Sequence, residues 1–322
     1  MIMHTPYAGS SSANPEVEKY DAVCSRHRGF TLVEIMAATG IMLALIMLVM
    51  TLTGRVLNAW SFSSGRLEQN YEARIAMSFL AEDLESAVFR NNGDAWLEVV
   101  YSNVGQATYT AQNQTELYFF SQVTDRPSDE LGGVSAVAYL TEFQNPFTEE
   151  VSTDPGNPPP PVFGLYRCVI DAPTTFNNVI GTVGTDLANN TFGTGLNATD
   201  SEYYLSANVV DFQVIFYAVF DSDQTNDGGD VIATAGDVVP ITTDYSINSS
   251  PQDFYVADGQ IHVGGAPQSG HLVYADVKLT VLGAEGGKIV GTGSTDGLAW
   301  DDFKDTYGET FTRRIYIMSK TL

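Results

Sequence analysis

The sequence predicts an α+β chain: one long N-terminal helix, membrane-spanning over its first half, packed on an antiparallel β-sheet globular domain. Three observations predict it. A long apolar run leads into a segment with helical spacing, and no proline interrupts the stretch from Phe30 to Arg90. After Asn91 the pattern changes to short runs of aromatic and β-branched residues between Gly-, Asn-, Asp- and Pro-rich loops. Strands that follow a single helix, without a βαβ alternation, point to antiparallel rather than parallel sheet. The expected organisation is a leader over 1–29, a helix over 30–90 and a β-rich domain over 91–322.

The helix begins with "GFTLVEIM" (29–36). From Ile35 to Gly54 the residues are uncharged and mostly apolar, about twenty positions and long enough to cross a hydrocarbon core. A secretory signal has a shorter apolar core of about 7–15 residues, closed by a small-residue cleavage site. Here the expected processing point lies on the other side, between Gly29 and Phe30, just after Arg26, His27 and Arg28. Glu34 is the exception in the segment, because an acid at the head of a span is expensive and marks a functional position. The basic residues place the leader in the cytoplasm and the acidic domain outside, although Arg55 and Arg66 weaken the asymmetry.

Beyond the span, Leu67, Tyr71, Ile75 and Phe79 recur every four residues, and Leu80, Leu84 and Val88 continue the stripe. Arg66, Glu68, Glu72, Arg74, Glu82 and Glu85 fall on other faces. The stripe predicts a helix of up to about sixty residues, roughly 90 Å long, whose outer half packs on its own domain. Gly54 and Gly65 are the expected bends, and "NNGD" (91–94) the stop.

Strands are expected at 96–101, 116–122, 135–143, 163–170, 209–220, 271–282 and 311–318. "NPFTEEVSTDPGNPPPP" (145–161) reads as an extended, polyproline-like excursion, and 181–200 as a long polar insert.

The 322 residues carry a net charge of −24, which excludes broad nucleic-acid binding and disfavours anionic lipid surfaces. The two cysteines, Cys24 and Cys168, would be separated by the expected cleavage, so no disulfide framework is available. His262 and His271 would be the only remaining histidines, and no H-E-x-x-H pattern accompanies them. "GTGSTDG" (291–297) has neither nucleophile-elbow nor phosphate-loop spacing and reads as a turn. No enzymatic chemistry is expected. One loop, "DSDQTNDGGD" (221–230), offers oxygen ligands for calcium in Asp221, Asp223, Asn226, Asp227 and Asp230, with Gly228 and Gly229 to wrap them. The same composition also makes an ordinary solvated turn.

The stretch from Gly29 to Met36 resembles the class III signal of type IV pilins and pseudopilins, with glutamate at the fifth mature position. The resemblance implies a pilin-like fold, cleavage after Gly29 and methylation of the Phe30 amine by a membrane-embedded prepilin peptidase. It also implies a bacterial inner-membrane protein with a single pass and a periplasmic domain. Partners would be other pilin-like subunits and an inner-membrane assembly platform. Across the domain, "LYR" (165–167), "LSANVVDFQVIFY" (205–217) and "VYADVKLTVL" (273–282) resemble J-type minor pseudopilins and the related Verru_Chthon pilin-like proteins. The expected function is a structural subunit of a type II secretion system or related filament. The alternatives are a minor type IV pilin for adhesion or motility, and a single-span anchor carrying a ligand-binding domain. On this reading Glu34 pairs with the Phe30 amine of a neighbouring subunit.

Overall fold

The computed structural model describes residues 29–88, 93–106, 109–122, 133–150, 160–180, 184, 186–192, 197–226 and 229–317; within the helix, side chains at 61, 62, 66 and 68 are not described. The expected leader and its basic cluster, Asn91, Asp227 and most of the proline-rich excursion lie outside the described residues. The chain divides into two compact units, Met1–Ala59 and Trp60–Leu322.

In the first unit the described chain is almost entirely helix, the first part of α1 (Leu32–Glu85). Its most apolar eighteen-residue window has a mean hydropathy of 2.5, and none of it is buried in the protein. A helix this apolar and bare is long enough to cross a membrane, where only a backbone bonded within itself is tolerated. Two threonines in it obey the same constraint: the Thr39 and Thr51 hydroxyls donate to the Met36 and Met47 carbonyls at 3.0 and 2.8 Å.

The second unit is built on strands β1 (Ala95–Gln106), β2 (Tyr109–Ser121), β3 (Ser135–Gln144), β4 (Val162–Ile170), β5 (Tyr204–Ala207) and β6 (Val209–Phe220). There follow β7 (Gln224–Thr225), β8 (Val231–Ala233), β9 (Val238–Pro240), β10 (Phe254–Ala257), β11 (Gln260–Val263), β12 (Ala266–Leu282) and β13 (Gly308–Tyr316). A three-residue helix α2 (Ala172–Thr174) follows β4, and α3 (Ala284–Gly291) and α4 (Trp300–Tyr307) separate β12 from β13. Among the described residues, eleven strands form one antiparallel sheet in the order β5-β4-β3-β2-β1-β10-β11-β12-β6-β9, with β13 also on β12; β7 and β8 form a separate ribbon. The long β12 pairs with β11 over its first residues, then with β6 and β13 on opposite edges. The α+β architecture with antiparallel sheet is as expected.

The helix meets the sheet through part of the expected stripe, since Leu80 and Leu84 are buried and Val88 packs on the core, but the start of the stripe faces outward. Leu67 and Tyr71 are 70% and 68% exposed, whereas Gln69, Ala73, Ala76, Met77, Leu80, Ala81 and Leu84 are buried. Alanines on the inner face allow the helix backbone close to the strands. The Gln69 amide then donates across the gap to the carbonyls of Val281 (3.0 Å) and Tyr307 (3.3 Å).

The helix also stops at Glu85, before the expected "NNGD". Its last carbonyls are taken by hydroxyls: Ser86 donates to Glu82 and Ser121 donates to Asp83, both at 2.7 Å. The Val88 N–H then bonds the Phe120 carbonyl at 2.8 Å, so the chain is already pairing with the end of β2.

Both faces of the sheet are covered at its centre. Phe119 and Tyr139 stack on each other on the helix side. Tyr118, pointing the opposite way, packs 5.4 Å from the ring of Phe192. The 181–200 insert is therefore more than a polar loop: Leu187, Phe192 and Ala198 are buried. Residues 145–150 correct another expectation. Asn145 accepts from the Phe147 and Thr148 N–H groups and the segment folds back on itself, a tight turn rather than an extended run.

Candidate functional site

The sequence places its strongest functional signal at Gly29, Phe30 and Glu34. Phe30 is 81% exposed, and helix α1 starts two residues later. Thr31 is the N-cap: its carbonyl accepts the first helical bond, from Ile35. Its hydroxyl accepts from the Glu34 N–H at 3.2 Å, while Glu34 Oε2 accepts from the Thr31 N–H at 3.3 Å and its hydroxyl at 3.4 Å. This is a reciprocal capping box in a T-x-x-E frame. The carboxylate also lies in the first turn, where the helix dipole favours negative charge.

Besides the expected external partner, Thr31 gives Glu34 an internal hydrogen-bonding partner that the sequence analysis does not include. The signal was present, since threonine three residues ahead of glutamate before an apolar run is the capping-box pattern. Within one chain the carboxylate therefore holds the Thr31 N–H and hydroxyl at the head of the helix, next to an exposed Phe30.

A second constellation joins helix to sheet. Asp83, on the inner face of α1, accepts from Arg167 at both oxygens (Nε to Oδ2, 2.8 Å; Nη2 to Oδ1, 3.0 Å) and from the Tyr139 hydroxyl at 2.6 Å. The Arg167 and Asp83 side chains are only 9% and 3% exposed. Arg167 also lies over the Phe79 ring at 5.0 Å, so its planar guanidinium is held from two sides. Burial, and next the Asp83 charge, push the Tyr139 hydroxyl pKa well above its ordinary value, keeping it a donor. Arg167 ends the "LYR" stretch. Asp83 was not singled out from the sequence, yet it sits at helical spacing from Leu80 and Ala76, where a lone acid on an apolar face calls for a partner.

The 221–230 loop closes the β7–β8 ribbon. Asp223 Oδ1 accepts from the Ala235 N–H at 2.8 Å and Asn226 Oδ1 from the Asp230 N–H at 2.9 Å. Its oxygens thus serve the turn, and Asp221 is exposed. Among the described residues, which exclude Asp227, no group of three or more His, Cys, Asp or Glu is placed to hold a metal. His262 stacks on Tyr255 at 4.4 Å and His271 is exposed on β12. "GTGSTDG" follows the end of α3, where the Gly293 N–H bonds the Val290 carbonyl at 2.8 Å and Gly293 and Gly297 take left-handed conformations.

Comparison of the chain with known protein families, with curated proteins and with solved structures returns no match.

Proposed function

We propose that the chain is a non-enzymatic, pilin-like structural subunit, a minor pseudopilin of a type II secretion system or related filament. It is cut after Gly29 by a prepilin peptidase, anchored in the bacterial inner membrane by the first part of α1, and carries its domain in the periplasm. Assembly with other pilin-like subunits on an inner-membrane platform draws the helix into a filament. There the Glu34 carboxylate pairs with the Phe30 amine of a neighbour.

The observation that carries this reading is the placement of Phe30 and Glu34. An exposed Phe30 and a carboxylate already held by Thr31 sit together at the head of a bare apolar helix. Cleavage at Gly29 would create a free amine there, and a charge in lipid is tolerated when the opposite charge reaches it. The readings as a minor type IV pilin or as a single-span ligand-binding anchor share the helix and differ in its use.

Mass spectrometry of the chain purified from its membrane tests the proposal. The expected amino terminus is Phe30 carrying an N-methyl group. A mature chain that still contains residues before Gly29 contradicts it.

A further inference from the structure

At the start of β2 the sheet leaves a cleft of about 410 Å³, lined by Tyr109, Gln112, Asn113, Gln213, Lys278 and Trp300, with Asp211, Asp301, Lys304 and Thr110 completing the rim. The volume falls within the ~300–1,000 Å³ of small-molecule sites. Its lining, however, is mostly polar rather than apolar, and this narrows the ligand by chemistry.

The charges on its wall cancel. Lys278 Nζ lies 2.8 Å from Asp211 Oδ2, and the other oxygen of Asp211 accepts from Gln114 at 3.3 Å. Lys304 Nζ lies 3.0 Å from Asp301 Oδ1. Two cations and two anions, each paired, give no net attraction for a phosphate, a carboxylate or a metal ion. A protein of net charge −24 adds a further penalty for an anion.

Uncommitted hydrogen-bonding capacity remains. The side-chain amides of Gln112, Asn113 and Gln213 bond to no described residue. The Trp300 indole N–H is shielded from solvent and likewise has no partner among the described residues, which is rare for a buried polar atom. Beside these amides stands the half-buried ring of Trp300, held in place by its neighbours. Trp300 stacks on Phe303 at 5.6 Å and packs against Tyr109 and Phe163, both at 5.7 Å. The buried rings of Tyr109, Phe143, Phe163 and Phe303 hold it from behind.

We propose that this cleft binds a neutral saccharide. Amide groups that both donate and accept, next to a fixed aromatic surface and without net charge, match a sugar ring, which offers hydroxyls at its edge and C–H groups on its face. The site is independent of the helix N-terminus, so it holds whether or not the chain assembles into filaments.

Saturation-transfer difference NMR tests it, using the full chain in a detergent without a sugar headgroup and cellotriose, maltotriose and tri-N-acetylchitotriose as probes. At least one trimer should show transfer to its ring protons. The double substitution Gln112→Ala, Gln213→Ala should weaken that binding about ten-fold, the loss expected for two neutral hydrogen bonds, with an unchanged melting temperature. Binding should also hold between low and high salt, since no net charge drives it. Absence of transfer from all three trimers overturns the proposal. So does a signal that survives the double substitution, or one that added salt abolishes.

Discussion

Glu98 in β1 shows how a single carboxylate can lower stability at neutral pH while still holding the chain in place. Its Oε2 accepts from the Leu187 and Ala188 N–H groups at 2.6 and 2.9 Å and so fastens the 186–192 insert to the sheet. Burial nevertheless outweighs those bonds and raises its pKa above the ordinary 4.5. The folded chain then binds the proton more tightly than the unfolded one. Its contribution is fully present below 4.5 and is lost as pH rises through the folded value. Glu142 shifts the same way, again chiefly through burial. The substitution Glu98→Gln keeps an acceptor for both N–H groups and removes the charge. Its melting temperature should exceed the parent's by more at neutral pH than near 4.5; an equal difference at both would refute the assignment. Cys168 is fully buried, and burial pushes its thiol up to about 12. Alkylation should therefore follow unfolding and not precede it; rapid labelling of the native chain would count against the packing described.

At the scale of elements, Asp83, Arg167 and Tyr139 form the charged part of the contact between α1 and the sheet. Removing one partner leaves the other charge buried and alone, so Asp83→Ala or Arg167→Ala should each cost about 3–5 kcal/mol in denaturant unfolding. Tyr139→Phe removes a hydroxyl that donates to Asp83 and accepts from Arg167 Nε, and should cost at least about 1.5–3 kcal/mol. The double substitution at Asp83 and Arg167 should cost less than the sum of the singles, and strict additivity would show that the two do not act as a unit.

The same elements show what the sequence made legible. The strands around Phe119, Tyr139, Val214 and Val277 were readable because aromatic and β-branched runs have few other uses. Helices α3 and α4 were hidden. Gly286 and Gly287 fall between expected strands, yet they lie in a helix, and glycine is needed there because a Cβ would press on Tyr307 and Asn208. The buried helix face was legible only in part. Leu80 and Leu84 of the expected stripe pack on the sheet, but alanines, Met77 and the hydrogen-bonded Gln69 share the packing, while Leu67 and Tyr71 stay outside. The short strands β7 to β11 gave too few residues for an alternation to show. At the candidate site Glu34 is visible as an anomaly by its depth, whereas its bond to Thr31 is legible only from the three-residue spacing.

Taken as a whole, the molecule joins a helix apolar enough for a membrane to an acidic, sheet-built domain with a polar cleft. In the account proposed, the link between anchoring and assembly is the charge of Glu34. Glutamine serves in a capping box as glutamate does, so Glu34→Gln separates the helix cap from the ion pair, whereas Glu34→Ala removes both. The decisive measurement is the amount of full-length Glu34→Gln chain recovered in sheared filaments, relative to its membrane level, from cells that hold the partner subunits. A buried charge pair worth about 3–5 kcal/mol predicts more than a hundred-fold loss of association, and so near absence from filaments at a normal membrane level. Recovery of Glu34→Gln in filaments at the parent level would contradict the account.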